Sequence, residues 1–441
     1  MTAWSLAFAR VHLFAMPAPP RPAALTPDLV LRFQQLGVTV GPQVPVDGPA
    51  GTLPGLLPLE EAVPGRVVES AHGRCYVSDH RRAAGEPHAG APLDLALEAC
   101  TDSLAALARD GRLRELDIGR TAFLDTETTG LSSGAGTYAF LVGIGRFVEG
   151  AFHVRQFFMR DPSEERAQLV EAADWVDGCD GLVTFNGRSF DMPLLATRYT
   201  MHRLRAPLAR ALHLDLLPPS RRLWRRRLPN CTLQSLERHV LGLERVDDVP
   251  GWLVPQRYFR YQEDGDGRPL VGVFQHNALD IVTMVALVER IASAYRRPEE
   301  VVRHGPDWLS LARAYAAAGE GPRAIAACEG ALARGLAPNE ADEAVETMGL
   351  VAKRAGDWAR AVAVWTDMAG QARPRRLFAF EELAKYYEHR ADPREPERAL
   401  ALCRRARELV RSGTLRPRRG RHVALAELDH RIGRLERRAG R

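Results

Sequence analysis

The chain has 441 residues, 46% of them hydrophobic and 26% charged, with a formal net charge of +5 at pH 7. This is the composition of a soluble globular protein able to bury a large core, and the length predicts two or three domains. The six cysteines are scattered without a C-x-x-C pair, which argues against a zinc site or a disulfide framework and fits a reducing cytoplasm.

Residues 1–92 are rich in Pro and Gly ("MPAPPRPAA", "VPVDGPAGTLPGLLP") and read as a leader with a small β element. One helix is expected at "TPDLVLRFQQLG" and a strand pair at "GRVVESAHGRCYVSDH". The first residues lack a basic n-region, and Arg10 interrupts their apolar run, so a signal peptide is not expected. Since no run of about 20 apolar residues is present, no membrane span is expected either.

Residues 93–300 read as an α/β domain. "LDLALEACTDSLAALARD" has helical periodicity. "TAFLDTE", the two halves of "TYAFLVGIGRFVEGAFHVRQFFM", "GLVTFNG" and "ALHLDLL" are predicted strands. "SEERAQLVEAADWVDG", opened by Ser163, the segment from "DMPLLATRY", "TLQSLERHVLG" and "VFQHNALDIVTMVALVERIASAY" are predicted helices. A hairpin followed by alternating strands and helices implies a mixed sheet flanked by helices.

Residues 301–412 are Ala-, Leu- and Arg-rich with helical periodicity throughout. "GEGPRAIAACEGAL", "GDWARAVAVWTDMA" and "PREPERALALCRRA" align on Ala324, Ala361 and Ala399. The pattern resembles tetratricopeptide repeats, which are antiparallel helix pairs, with a plain helical bundle as the other reading. Residues 413–441 form a basic helical tail.

Chemistry concentrates in the middle domain. Asp125 and Glu127 are two apart on a predicted strand and so share a face. Two adjacent carboxylates repel, and a hard divalent cation relieves that repulsion. Taken alone, "DTET" also fits a solvated strand end. Asp191 follows a strand at a helix start, with Asn186 five residues earlier, and it also fits an N-cap. His276 and Asp280 are one turn apart on the apolar side of a long helix, where they also fit a satisfied core pair. D-x-E on a first strand, D after a later strand and H-x-x-x-D on a final helix make those separate readings an unlikely coincidence.

In that order the motifs "FLDTETTGL", "FNGRSFDMPLL" and "HNALDIVTM" resemble the DEDD 3′–5′ exonuclease superfamily, whose fold is ribonuclease-H-like. With "GRVVESAHGRCYV", "HLDLLPPSRRLWRRRLPNCTLQSLERHVLGLERVDDVPGW" and the helical repeats, residues 60–410 resemble the YprB-like family. The resemblance implies an α/β ribonuclease-H-like exonuclease domain followed by an all-α repeat domain. It implies two divalent ions, Mg²⁺ or Mn²⁺, on Asp125, Glu127, Asp191 and Asp280, with His276 as general base. It also implies a substrate of single-stranded DNA or RNA, gripped by Asn186 and by the segment Thr128, Thr129, Gly130 and Leu131. His276 stands at the spacing of the superfamily's Tyr branch, which leaves its role as base open.

Arg221, Arg222 and Trp224 in "SRRLWRRRL" offer a basic, aromatic rim for nucleic acid, or else a solvated loop with Trp224 in the core. The repeats offer a surface for a protein partner. Two other functions stay open: a repeat scaffold that binds nucleic acid without cutting it, and a structure-selective endonuclease.

Overall fold

The computed structural model describes residues 55–130, 136–371, 376–415, 417 and 419–439. The helix expected at 26–37 lies outside them. Leu56–Arg441 folds around one seven-stranded mixed sheet that continues into an all-helical region.

The strands are β1 (Arg66–Ser70), β2 (Gly73–Ala83), β5 (Thr121–Thr128), β6 (Ala139–Val148), β7 (Ala151–Phe158), β8 (Gly181–Thr184) and β9 (Leu212–Asp215). A separate two-stranded ribbon pairs β3 (Pro87–His88) with β4 (Ala91–Pro92). The main sheet runs β1-β2-β7-β6-β5-β8-β9. Pairing is antiparallel from β1 across to β5, then parallel from β5 through β8 to β9. Glu149 and Gly150, both at positive φ, close the tight β6–β7 turn, the geometry that a two-residue hairpin requires. The strand pair expected at "GRVVESAHGRCYVSDH" is the β1–β2 hairpin. It extends the main sheet by pairing β2 with β7.

The sheet is covered on both faces. On one side α2 (Glu165–Trp175) and α3 (Asp191–Met201) pack Ala167, Leu169, Leu195 and Tyr199 against Ala122, Leu124, Val142 and Ile144. On the other, a long helix spans Arg268–Arg296 and buries Ile281, Val285 and Val288 with Phe123 and Val154. By length and composition that helix could cross a membrane, contrary to the sequence expectation. However, 67% of its apolar window is buried inside the protein, which accounts for its hydrophobicity.

Local sequence explains most of the boundaries. The predicted helix after residue 92 is split into a 3₁₀ turn, Leu93–Glu98, and α1 (Thr101–Ala108). Asp161, rather than Ser163, opens the next helical segment, its carboxylate accepting from Ser163 N. The basic stretch after β9 is helical: α4 (Leu217–Trp224) begins with prolines in its first turn, where a missing N–H costs nothing. Then come the short helix Leu233–Leu236 with the π-turn Glu237–Leu241, stopped by Gly242 at φ 70, and α5 (Val254–Asp264). The long helix Arg268–Arg296 is α6.

Beyond it, α7 (Gly305–Ala318) pairs with α8 (Gly321–Ala333), α9 (Pro338–Arg354) with α10 (Trp358–Gly370), and α11 (Leu377–His389) with α12 (Pro396–Arg411). The repeat alanines Ala324, Ala361 and Ala399 lie on the second helix of each pair and are all fully buried. In the first two pairs a glycine makes room for a tryptophan ring, Gly330 for Trp308 and Gly349 for Trp365. The basic tail forms α13 (Arg421–Ala439), which buries Leu428, Ile432 and Leu435 against the last pair, while Arg434 and Arg438 bind Glu388 at 2.8 and 3.1 Å.

Candidate active site

The site is built at the C-terminal end of β5, the strand flanked by antiparallel β6 and parallel β8. Asp125 and Glu127 project from the same face as Phe123, toward α6. A bulge in the β5–β6 ladder at Glu127/Thr128 loosens the strand end there. On α6, His276, Asn277 and Asp280 face this end. Asn277 Nδ2 donates to Asp125 Oδ2 at 2.8 Å. His276 Nε2 and Asp280 Oδ2 are 3.7 Å apart.

Asp191 arrives from the other side. It opens α3, and its Oδ1 accepts from Thr126 Oγ1 at 2.5 Å, the residue between Asp125 and Glu127 that points to the opposite face. Asp215, at the end of β9, fixes the loop that leads there: its carboxylate accepts from the backbone N–H groups of Asn186 and Arg188 at 2.8 and 3.2 Å. Asn186 takes a left-handed conformation, φ 65, which asparagine tolerates better than most residues.

The electrostatics are lopsided. Burial, then the charges of Asp280, Glu127 and Asp191, push the Asp125 carboxyl well above the usual carboxylate range, and the Asn277 hydrogen bond opposes this. Burial with Asp280, Asp191 and Asp248 does the same to Glu127, opposed by Arg245. Asp191 is pushed up to about 6 by burial, against the Thr126 hydrogen bond. Glu127 has no hydrogen-bond partner among the described residues. The nearby fixed cation is Arg245, whose guanidinium binds Glu237 through two 2.6 Å contacts, Asp248 at 3.2 Å, and Asp280. His276 Nδ1 in turn lies 2.7 Å from Asp248 Oδ1. Among the described residues no three acidic, imidazole or thiol groups converge as a ready-made ligand set. Asp125, Asp191 and Asp280 each accept from a protein donor, Asn277, Thr126 and Arg245 respectively. An all-oxygen donor set with surplus negative charge fits a hard divalent ion.

Residues 122–292 match the sequence pattern of the RNase_H superfamily. That match lies within the α/β domain, which is RNase-H-like in fold. The chain is also similar to the protein YprB of Bacillus subtilis (strain 168), with 33% identity over 270 residues, 61% of this chain and 65% of YprB. The match thus spans less than two thirds of that relative's length. A solved structure, the family B DNA polymerase from the hyperthermophilic archaeon Pyrobaculum calidifontis, aligns with 53% of this chain and 29% of its own at 16% identity and a TM-score of 0.30.

Within the RNase-H-like domain the structure gathers Asp125, Glu127, His276 and Asp280 on one side of β5. Asp191 is held round its edge, close enough for its charge to act on Asp125 and Glu127. Thr128 Oγ1 donates to Gly130 O at 2.8 Å, and Thr129 Oγ1 accepts from Tyr138 N at 3.0 Å, so this segment is an ordered turn at the site's lip. Leu131 lies outside the described residues.

The proposed basic rim is placed differently. Trp224 is buried at 3% exposure among Leu107, Leu223 and Leu309, so its ring offers no face to a base. Arg222 donates to Leu107 O while Arg221 is exposed. Arg226 and Arg227 bind Glu343 and Asp307 of the helical region at 2.7 and 2.8 Å. This stretch fastens the RNase-H-like domain to the repeats, because α4 packs directly on α7.

Sequence reasoning missed Glu237, Arg245 and Asp248. For Arg245 and Asp248 the signal available was the acid-and-arginine run "LERVDDV", which precedes α5.

Proposed function

We propose that the protein is a metal-dependent 3′–5′ exonuclease that hydrolyses phosphodiester bonds of single-stranded DNA or RNA. The observation that carries this reading is that Asp280 on α6 lies near enough for its charge to act on both Asp125 and Glu127 of β5, with Arg245 as the nearby fixed counter-charge. The motif order along the chain supports the 3′–5′ direction. Phe190, 54% exposed directly before Asp191, and Trp252, 61% exposed and four residues past Asp248, are aromatic faces suited to unpaired bases.

Asp125, Glu127, Asp191 and Asp280 would hold two divalent ions, Mg²⁺ or Mn²⁺. Bound there, such ions supply positive charge to the phosphate and acidify water. The chain's own residues do the rest. Asp248 accepts from His276 Nδ1 at 2.7 Å, closer than the 3.4 Å approach of Arg245 to the same nitrogen. That assigns the ring proton to Nδ1 and leaves Nε2, on the Asp280 side, free to take a proton. Asn186 and the turn at Thr128–Gly130 would hold the terminal nucleotide.

The helical pairs would hold a protein partner. Near their C-terminal end is a cavity of about 680 Å³ lined by Phe378, Lys385, Arg419 and Arg431 among others. The six free thiols suit a cytoplasmic setting.

The test is incubation of purified protein with Mg²⁺ or Mn²⁺ and 5′-labelled single-stranded DNA or RNA, with Asp125→Ala as control. A ladder of shortening products from the wild type alone is expected. Equal inertness of both proteins on every substrate would sink the enzyme reading in favour of a binding scaffold, and a single internal cut would replace exonuclease with endonuclease.

A further inference from the structure

Four residues form one row across the sheet. Ser78 on β2 is in register with Gln156 on β7, Gln156 with Gly143 on β6, and Gly143 with Asp125 on β5. Residues in register point to the same face of a sheet, so all four present toward α6. Gln156 and Asp125 are two strands apart, about 10 Å at the ordinary strand spacing, and cannot touch. Gly143 has no side chain, and the Asn277 amide of α6 occupies the gap: a Cβ on residue 143 would overlap Asn277 Oδ1 and Cγ.

The hydrogen bonds through this gap run in one direction. Asn277 Nδ2 lies 3.3 Å from the backbone oxygen of Asp125, a carbonyl that can only accept, so this nitrogen is the donor and also donates to Asp125 Oδ2 at 2.8 Å. Asn277 Oδ1 must then accept, and does so from Gln156 Nε2 at 2.9 Å. Gln156 Nε2 also donates to Phe274 O at 2.8 Å, which locks the amide and leaves its Oε1 as acceptor. That oxygen meets His80 Nε2 at 3.1 Å, so His80 is the donor, and the same nitrogen lies 3.2 Å from Ser78 Oγ. Gln156, Asn277 and Ser78 are fully buried. A buried amide chain with every group matched is costly to reverse or leave incomplete.

We propose that Asn277, seated over Gly143 and held by Gln156 and His80, is the positioning residue that fixes the Asp125 carboxylate for metal binding. The β1–β2 hairpin, which contributes Ser78 and His80, is thereby a working part of the site. This inference rests on the reading of Asp125 as a metal ligand.

The experiment is Mn²⁺ titration of the full-length protein by electron paramagnetic resonance, alongside melting curves, for wild type, Asp125→Asn, Asn277→Leu and Gln156→Met. Wild type should bind Mn²⁺ and Asp125→Asn should not. Asn277→Leu and Gln156→Met should raise the Mn²⁺ dissociation constant about 10- to 100-fold while still melting cooperatively. Gln156→Met touches no carboxylate, so it reports on the chain even where the Asn277 variant folds poorly. Variants that bind Mn²⁺ as tightly as wild type overturn the positioning role and leave the nuclease reading intact. A wild type that binds no Mn²⁺, or an Asp125→Asn that binds equally well, overturns the metal reading and this inference with it.

Discussion

The amide of Asn277 fills the space that a Cβ on Gly143 would occupy, and so reaches Asp125 across a strand that has no side chain at that point. Glycine inside a strand is unfavourable on conformational grounds, and here it makes room for a neighbour. Gly143→Ala should displace Asn277 from Asp125 and press on Ile281. The expected cost is about 1–3 kcal/mol of stability from overpacking, with nuclease activity reduced about 10- to 100-fold. Urea denaturation and initial rates on a labelled oligonucleotide measure the two effects. An alanine variant with wild-type activity would show that Asn277 does not govern the site.

Asp125 carries a second, separable expectation. Burial and the charges of Asp280, Glu127 and Asp191 disfavour its ionised form in the metal-free protein. Asp125→Asn removes that repulsion while keeping an oxygen to accept from Asn277. The metal-free variant should therefore melt higher than wild type, by about 2–4 °C for each kcal/mol relieved. Added Mn²⁺ should raise the wild-type melting temperature, by about 2.7 kcal/mol of stabilisation at a hundredfold excess over its dissociation constant, and leave the variant unmoved. Activity of the variant should fall roughly a thousandfold or more. Scanning calorimetry with and without Mn²⁺ decides this, and a variant less stable than wild type without metal contradicts it.

What the sequence disclosed was local. Asp125 and Glu127 stand out because a period of two places them together, and His276 with Asp280 because a period of 3.6 does the same. The repeat alanines were legible because their spacing recurs and small buried residues leave no substitute. What it concealed was made by tertiary contact. Gln156 reads as an ordinary polar residue in "FHVRQFF" until β2, β6 and α6 enclose it. Arg245 and Asp248 sit in an irregular segment whose meaning appears only against α6. Trp224 and its arginines were offered to nucleic acid because clustered positive charge is visible in sequence. The acids that answer it, Asp307 and Glu343, lie 80 or more residues away. The two prolines before them signalled a helix start as much as a loop.

Arg245 holds three carboxylates together: Glu237, Asp248 and Asp280. Glu237 is 2% exposed and its other donor is Thr283 Oγ1 at 2.6 Å. Arg245→Met leaves that buried charge without its cation, a loss that ordinarily costs about 3–5 kcal/mol. Arg245→Lys keeps the charge but loses the planar fork and should fall between. Denaturation midpoints at constant slope rank the three proteins. A methionine variant as stable as wild type would show that the Arg245–Glu237 pair does not support the fold.

The junction between the domains should respond to pH through Asp307. Its carboxylate is buried at the start of α7, with Oδ2 accepting from Arg227 Nε at 2.8 Å and Oδ1 without a hydrogen-bond partner among the described residues. Burial outweighs the arginine and pushes the group up from 3.8 to about 6. A folded-state value above the unfolded one means that this carboxyl's contribution is fully present below pH 3.8 and is lost as pH rises through 6. Above that range the fold carries an ionised, incompletely satisfied carboxylate. Asp307→Asn keeps an acceptor for Arg227 and removes the charge, so its stability relative to wild type should improve between pH 4 and pH 8, with the change centred near 5 to 6. Paired urea titrations across that range test this. A difference that stays flat, or runs the other way, would show that the Arg227 contact rather than burial controls Asp307.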